Sequence, residues 1–176
     1  DTAEIPARVY HPTHVNRRAA LLEEAFALTT RGCFIDVTAF PAEGQGADEV
    51  SAVDAITRYL EAGLAPGQLT VSSDGGGCLP TFDADGRITR MDVGRPALLA
   101  ETLRALLRSG MPLETALPPF TANPAELLRL PTKGRLGVGA DADLAVLDGD
   151  GHIRDVMARG QFLVRDGAPV ARGLFE

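Results

Sequence analysis

Tryptophan is absent from this 176-residue chain, and aromatic residues make up only 5% of it. With so few flat rings, stacking against the bases of a nucleic acid has little to work with. The two cysteines, Cys33 and Cys78, are too few for a disulfide framework and too far apart for a C-x-x-C metal knuckle. A reducing, cytoplasmic setting is therefore expected. Positive charge is also short: 17 Lys+Arg against 24 Asp+Glu give a net charge of −7, which suits no large phosphate-gripping surface. No apolar run approaches the roughly 18–20 residues that span a bilayer. The opening DTAEIPARVY does not read as a signal peptide. Nucleic acid and membrane are thus not the expected partners. What remains is an ordinary globular composition, 45% apolar and 23% charged, in a chain long enough for one domain, or one domain plus a small appendage.

Strand and helix patterns alternate through the first part of the chain. Arg8–Thr13 reads as a short strand that weakens at Pro12, which cannot donate to a ladder. Asn16 is placed to cap a helix bearing Leu21, Leu22, Ala25, Phe26 and Leu28. Cys33–Thr38 reads as a buried strand, followed by a loop at Pro41–Gly46. A helix carries Val50, Val53, Ile56 and Leu60, with Asp48 and Glu49 expected in its first turn. Leu69–Ser73 is a third strand, ending at Asp74-Gly75-Gly76-Gly77. After an irregular stretch with a turn at Asp85-Gly86, a helix is expected from about Pro96 to Arg108, then two shorter ones, the second capped by Asn123. From Gly134 the pattern changes to short strands separated by Gly149–Gly151, Arg159-Gly160 and Asp166-Gly167, a small antiparallel unit. Helices between successive strands imply parallel βα units, about three of them. A closed (β/α)8 barrel needs about 250 residues, so this chain supplies an open sheet or only part of a barrel.

In parallel α/β folds, ligands bind where the strands end. His14, Asp36–Thr38 and Asp74 all fall at such ends. His11 and His14 form an H-x-x-H pair, but on a strand an odd offset sends the two to opposite faces, so at most one of them faces the site. Asp74 leaves a buried strand into three glycines, where backbone has room to approach a ligand. The glycine run lacks the Lys-Ser/Thr of a phosphate loop, and Ser72 and Ser73 lack the G-x-S-x-G elbow of a nucleophile. Arg17 is a cation at a helix start, electrostatically poor for the helix and suited to an anion. Cys78 reads as a lining residue, Cys33 as an inert buried one, and His152 as solvated.

The stretches His11-Pro12-Thr13-His14-Val15-Asn16-Arg17 and Thr70-Val71-Ser72-Ser73-Asp74-Gly75-Gly76-Gly77, with Thr121-Ala122-Asn123-Pro124-Ala125 and Gly139-Ala140-Asp141-Ala142-Asp143-Leu144, resemble the isoaspartyl dipeptidases of the amidohydrolase superfamily. The first two stretches are the more specific. The likeness runs over essentially the whole chain and corresponds to the C-terminal half of such an enzyme. It implies that residues 1–133 are the last βα units of a TIM-like (β/α)8 barrel and residues 134–176 part of a small β-sandwich. It further implies a two-zinc site in which His14 ligates one metal and Asp74 the other, Asp74 serving also as general acid/base. A metal-bridging hydroxide would attack the β-aspartyl peptide bond of a dipeptide. Arg17 matches the arginine that holds a substrate carboxylate. Cys78 stands where the family has a substrate-contacting serine, and a thiol is the weaker hydrogen bonder. The family's H-x-H, its carboxylated lysine, a further histidine and its tyrosine have no counterpart in these 176 residues, so the chain supplies only part of such a site. Two alternatives accompany this reading. One is a different amidohydrolase, dihydroorotase-like or acting on N-acyl amino acids. The other is an inactive fragment or assembly module whose open sheet edges seek a complementing N-terminal half or further copies of the chain.

Overall fold

The computed structural model describes residues 4–41 and 48–173; the loop expected at Pro41–Gly46 lies, from Ala42 onward, outside them. The chain forms two compact units, Asp1–Thr102 and Leu103–Glu176. The first carries helix α1 (Ala19–Thr29), strand β1 (Ile35–Thr38), helix α2 (Ala52–Glu61), strand β2 (Leu69–Ser72) and a hairpin of β3 (Cys78–Phe82) and β4 (Ile88–Val93). Helix α3 (Ala97–Arg108) contains the division between the units.

Strands β1 and β2 pair in parallel, from Ile35 opposite Leu69 to Thr38 opposite Ser72. Alternation splits this pair into two faces. Ile35, Val37, Leu69 and Val71 point one way and are buried. Helix α1 offers Leu22, Ala25 and Phe26 to the core, and α2 offers Ala55, Ile56 and Tyr59. Phe26 meets Tyr59 edge to face at 5.3 Å. Burying a Leu or Ile side chain of this kind contributes about 1.5–3 kcal/mol, which outweighs the modest cost of ordering it. The opposite face is polar, and it carries Asp36, Thr38, Thr70 and Ser72.

Several local expectations change. Arg8–Thr13 is not a strand: Ala7–Val9 is a 3-10 turn, closed by Val9 N–H donating to Pro6 C=O at 3.1 Å. Only one ladder bond reaches the sheet from this segment, Asp36 N–H to Pro12 C=O at 2.9 Å. The parallel sheet therefore has two named strands where three were expected. Asn16 does not cap α1. That helix begins at Ala19, whose N–H donates to the Asp48 carbonyl at 3.0 Å. Helix α2 starts at Ala52 and not at Asp48, because Ser51 caps it: its Oγ accepts from Asp54 N–H at 3.0 Å and donates to Asp54 Oδ2 at 2.8 Å. The irregular stretch after Asp74 is the β3–β4 hairpin, antiparallel with a register shift between Thr81 and Phe82.

The second unit holds helices α4 (Leu113–Ala116) and α5 (Ala122–Leu127), the latter starting from Thr121 and not from Asn123. Its sheet is an antiparallel meander of β5 (Leu144–Leu147), β6 (Ile153–Ala158), β7 (Gln161–Arg165) and β8 (Ala168–Pro169), in that order. The turns Arg159-Gly160 and Asp166-Gly167 have φ of 49° and 77°, and 50° and 75°. Two successive left-handed residues match the twist of the flanking strands, as in a type I′ hairpin. Among the described residues no helix is long and apolar enough to cross a membrane.

Lys133 staples the entry to this sheet. Its Nζ pairs with Asp141 at 2.8 Å and also with Asp143, whose other oxygen accepts from Arg159 N–H at 2.7 Å. The hydrogen bonds from Lys133 hold both carboxyls below their ordinary range, and the same bonds raise the lysine above its own. Depressed carboxyl values mean that the stabilisation is complete above about pH 4 and is lost as pH falls through the folded values. The raised lysine sets the alkaline end: stabilisation holds below about pH 10.4 and fades as pH rises through the folded value. In thermal melts, Lys133→Met is expected to unfold at lower temperature than wild type at pH 7 and at the same temperature near pH 2. An equal difference at both pH values would contradict the ion-pair account.

Candidate active site

The polar face of β1 and β2 is fully hydrogen-bonded. Asp36, buried on β1, receives Thr70 Oγ1–H on Oδ1 at 2.8 Å and Ser72 Oγ–H on Oδ2 at 2.5 Å, both from β2. His11 Nε2 lies 3.0 Å from Thr70 Oγ1. With the threonine hydrogen given to Asp36, the imidazole is the donor in that contact. Burial holds His11 below its usual range, and the Asp36 charge works in the opposite direction. The ring is accordingly neutral near pH 7. This chain of groups ties the segment before α1 to both strands.

His14 sits one step closer to the strand ends. Its Nδ1 lies 2.7 Å from Thr38 Oγ1, at the last residue of β1. In the tautomer with hydrogen on Nδ1, the ring donates to that hydroxyl and keeps its Nε2 lone pair for a ligand. The backbone of His14 is left-handed, with φ 57° and ψ 31°. Asn16 holds this bend from beneath. Its Nδ2 donates to Thr38 C=O at 3.0 Å and to Val50 C=O at 2.9 Å, and its Oδ1 accepts from Thr38 N–H at 2.9 Å. The side chain is fully buried, and it satisfies both backbone groups at the end of β1 as a neighbouring strand would.

Asp74 follows β2 by two residues. It too is left-handed, at φ 48°. Among the described residues five non-glycines have positive φ, and the two expected ligands, His14 and Asp74, are two of them. Such conformations cost about 1–3 kcal/mol each and persist where the surroundings over-determine them. Ala39 N–H donates to Ser72 C=O at 2.8 Å, extending the β1–β2 pairing to the residues that flank the site. His14, through Thr38, and Asp74, through Ser72, are thus brought to the same edge of the sheet.

Arg17 is exposed, and its guanidinium lies 5.4 Å from the Phe40 ring centroid. Phe40 in turn lies 6.2 Å from the His14 ring. A cavity of about 270 Å³ opens between Arg17, Arg18, Phe40 and Glu49 on one side and the hairpin residues Leu79–Phe82 on the other. His14, Asp74 and Cys78 do not line it. Cys78 is exposed at the start of β3, opposite Val93. Among the described residues no three His, Cys, Asp or Glu side chains gather as a metal-holding group. His14 and Asp74 thus stand beside the paired ends of β1 and β2, while Arg17 lines a separate cavity and Cys78 lies on the hairpin. Reading Asn16 as a cap overlooked its part in the site. Asn and Ser/Thr serve equally as caps and as buried clasps, and only the tertiary partner distinguishes the two.

Residues 45–170 match the model of the Amidohydrolase family. The chain is similar to the beta-aspartyl dipeptidase of the thermophilic keratin degrader Fervidobacterium islandicum AW-1, solved in complex with a beta-Asp-Leu dipeptide. That match has 36% identity over 98% of this chain and 44% of that one, with a TM-score of 0.87. A second structure from the same organism matches at 33% identity, over 98% of this chain and 42% of that one, with a TM-score of 0.80. A D-hydantoinase (dihydropyrimidinase) from Thermus sp. shares the fold at 21% identity, over 92% of this chain and 46% of that one, with a TM-score of 0.61. The chain spans less than half the length of each.

Asn16→Ala removes three buried hydrogen bonds, strips Thr38 N–H of its Asn16 acceptor and leaves Thr38 C=O with Phe40 N–H at 3.1 Å. A loss of about 2–4 kcal/mol is expected in urea unfolding. Asn16→Asp, which sets a carboxylate against two carbonyls, is expected to cost at least as much. A loss below about 0.5 kcal/mol for either variant, the range of ordinary surface substitutions, would contradict the clasp.

Proposed function

The chain belongs to the amidohydrolase family, and from that premise we propose that it is the C-terminal part of a zinc-dependent hydrolase that cleaves the β-aspartyl peptide bond of dipeptides. The observation that carries this reading is the placement of His14 and Asp74: two left-handed residues, one imidazole and one carboxylate, beside the paired ends of β1 and β2. Their donor types suit zinc. Two donors are too few for a two-metal centre, so the remaining ligands, a carboxylated lysine among them, come from outside these residues. Residues 1–133 are assigned to the last βα units of a barrel and 134–176 to part of a β-sandwich. The exposed Phe162 and Leu163 on its sheet, with Val170 just after the last strand, fit a layer that packs against something further. A complementing N-terminal half or a homo-oligomer in the cytoplasm accords with that incompleteness.

Zinc, when bound, supplies Lewis acidity at the scissile carbonyl and acidifies the attacking water. His14 is oriented by Thr38 to present Nε2 to it, and Asp74 presents a carboxylate oxygen. In the reaction Asp74 accepts the proton of the attacking water as its oxygen bonds to the amide carbon. Asp74 then returns that proton to the departing amine nitrogen as the C–N bond breaks. Arg17, steadied by the Phe40 ring, holds a substrate carboxylate with its planar fork. Cys78 contacts the substrate in the place of a stronger hydroxyl donor.

Full-length protein is expected to hydrolyse beta-Asp-Leu. Asp74→Asn lowers kcat by about 10²–10⁴-fold. Arg17→Met raises KM by about 10–100-fold, the worth of a charge-assisted hydrogen bond. Steady-state kinetics check both. Zinc-loaded protein that leaves beta-Asp-Leu intact but opens dihydroorotate or an N-acyl amino acid would transfer the assignment to a different amidohydrolase.

A further inference from the structure

The carboxylate of Asp74 lies against the α-carbon of Gly77. A methyl group built on Gly77 would fall 2.6 Å from Asp74 Oδ1, 2.7 Å from Cγ and 2.8 Å from Oδ2, and these are the three nearest atoms it would meet. Gly77 is not among the positive-φ glycines, so its backbone accepts a side chain without strain. A sterically demanding position on an unstrained backbone serves the neighbour that fills the space. That neighbour is the carboxylate of Asp74.

The backbone around it is pinned. Gly77 N–H donates to Asp74 C=O at 2.8 Å, Gly94 N–H to Gly77 C=O at 2.9 Å, and Gly76 N–H to Gly94 C=O at 3.0 Å. Gly94 plays a different part: a methyl there would lie 2.0 Å from Asp74 O and 2.9 Å from Ser73 O, which is backbone and cannot yield. The root of the β3–β4 hairpin thus fixes the Asp74 peptide on one side and leaves a floor for its side chain on the other.

Resting on the reading of Asp74 as general acid/base, we propose that Gly77 is a positioning residue which holds the Asp74 carboxylate in its working orientation. A methyl at Gly77 would turn the carboxylate away while the fold stays intact, because the three nearest atoms it meets all belong to the Asp74 side chain and none to the backbone. Catalytic groups displaced by about 1 Å lose about 10²-fold in rate.

The test compares four variants of the full-length enzyme on beta-Asp-Leu: Gly77→Ala, Asp74→Asn, the double variant and Gly86→Ala. Gly86 lies at the hairpin turn with φ 77° and nothing within 4 Å of an added methyl, so it isolates backbone strain. Gly77→Ala is expected to lower kcat by about 10²-fold, to change KM less than about threefold, and to shift the melting temperature by under about 3 °C. Its crystal structure should show the Asp74 carboxylate rotated on an unmoved backbone. Gly86→Ala should lower the melting temperature and leave kcat unchanged. The double variant should be no slower than Asp74→Asn alone. If Asp74→Asn is inactive while Gly77→Ala keeps wild-type kcat, or fails to fold, the positioning role is overturned and the Asp74 reading survives. If Asp74→Asn keeps wild-type kcat, that reading itself falls.

Discussion

One buried amide organises the edge on which everything else is built. Asn16 satisfies the N–H and C=O of Thr38 together with the carbonyl of Val50, and Val50 N–H in turn donates to Asn16 C=O at 2.9 Å. Four hydrogen bonds thus close around a residue with no exposed surface. They stop β1 at Thr38, bring in the chain that precedes α2, and force the sharp left-handed bend at His14. The Thr38 hydroxyl then sets the His14 ring. Positioning of this imidazole is therefore a backbone property secured two residues away, which is how a strained residue persists in a protein of marginal net stability.

The sheet separates its labour by face. On the apolar side, α1 and α2 bury Ile35, Val37, Leu69 and Val71. On the polar side, Asp36 gathers the hydroxyls of Thr70 and Ser72, and burial favours the neutral form of His11 against the pull of Asp36. Among the described residues no buried side-chain polar atom lacks a partner. A polar layer that is fully satisfied rigidifies the region without the penalty of an unpaired group. It lies directly before the residues that carry the proposed chemistry, and it ties to both strands a segment that holds only one ladder bond.

Much of this was legible in the sequence, and the misreadings have physical causes. The helices around Leu22–Phe26 and Ala97–Arg108, the strands ending at Thr38 and Ser72, and the meander turns at Arg159-Gly160 and Asp166-Gly167 follow from periodicity and turn chemistry. Asp74 does follow a strand, β2, whereas the strand expected before His14 is absent, so His14 rests on its family motif and its bond to Thr38. The strand at Arg8–Thr13 fails because Pro6 closes a turn and Pro12 brings no donor. The hairpin at Cys78–Val93 went unread because Pro80 and the shifted register blur its alternation. Asn16 and Asn123 carry cap-like signals but do not cap, since another residue stands at the helix start in each case. Short-range patterns report the options open to a side chain; long-range packing chooses among them.

The family assignment and the short donor set are compatible: the chain covers less than half of its structural relatives, and the proposed metal centre calls for donors beyond these residues. The most direct measurement is zinc anomalous diffraction from crystals of the full-length protein. His14 Nε2 and a carboxylate oxygen of Asp74 are expected each within about 2.0–2.2 Å of a zinc ion, in one two-metal centre. Anomalous peaks elsewhere, with both side chains free of metal, would contradict the account.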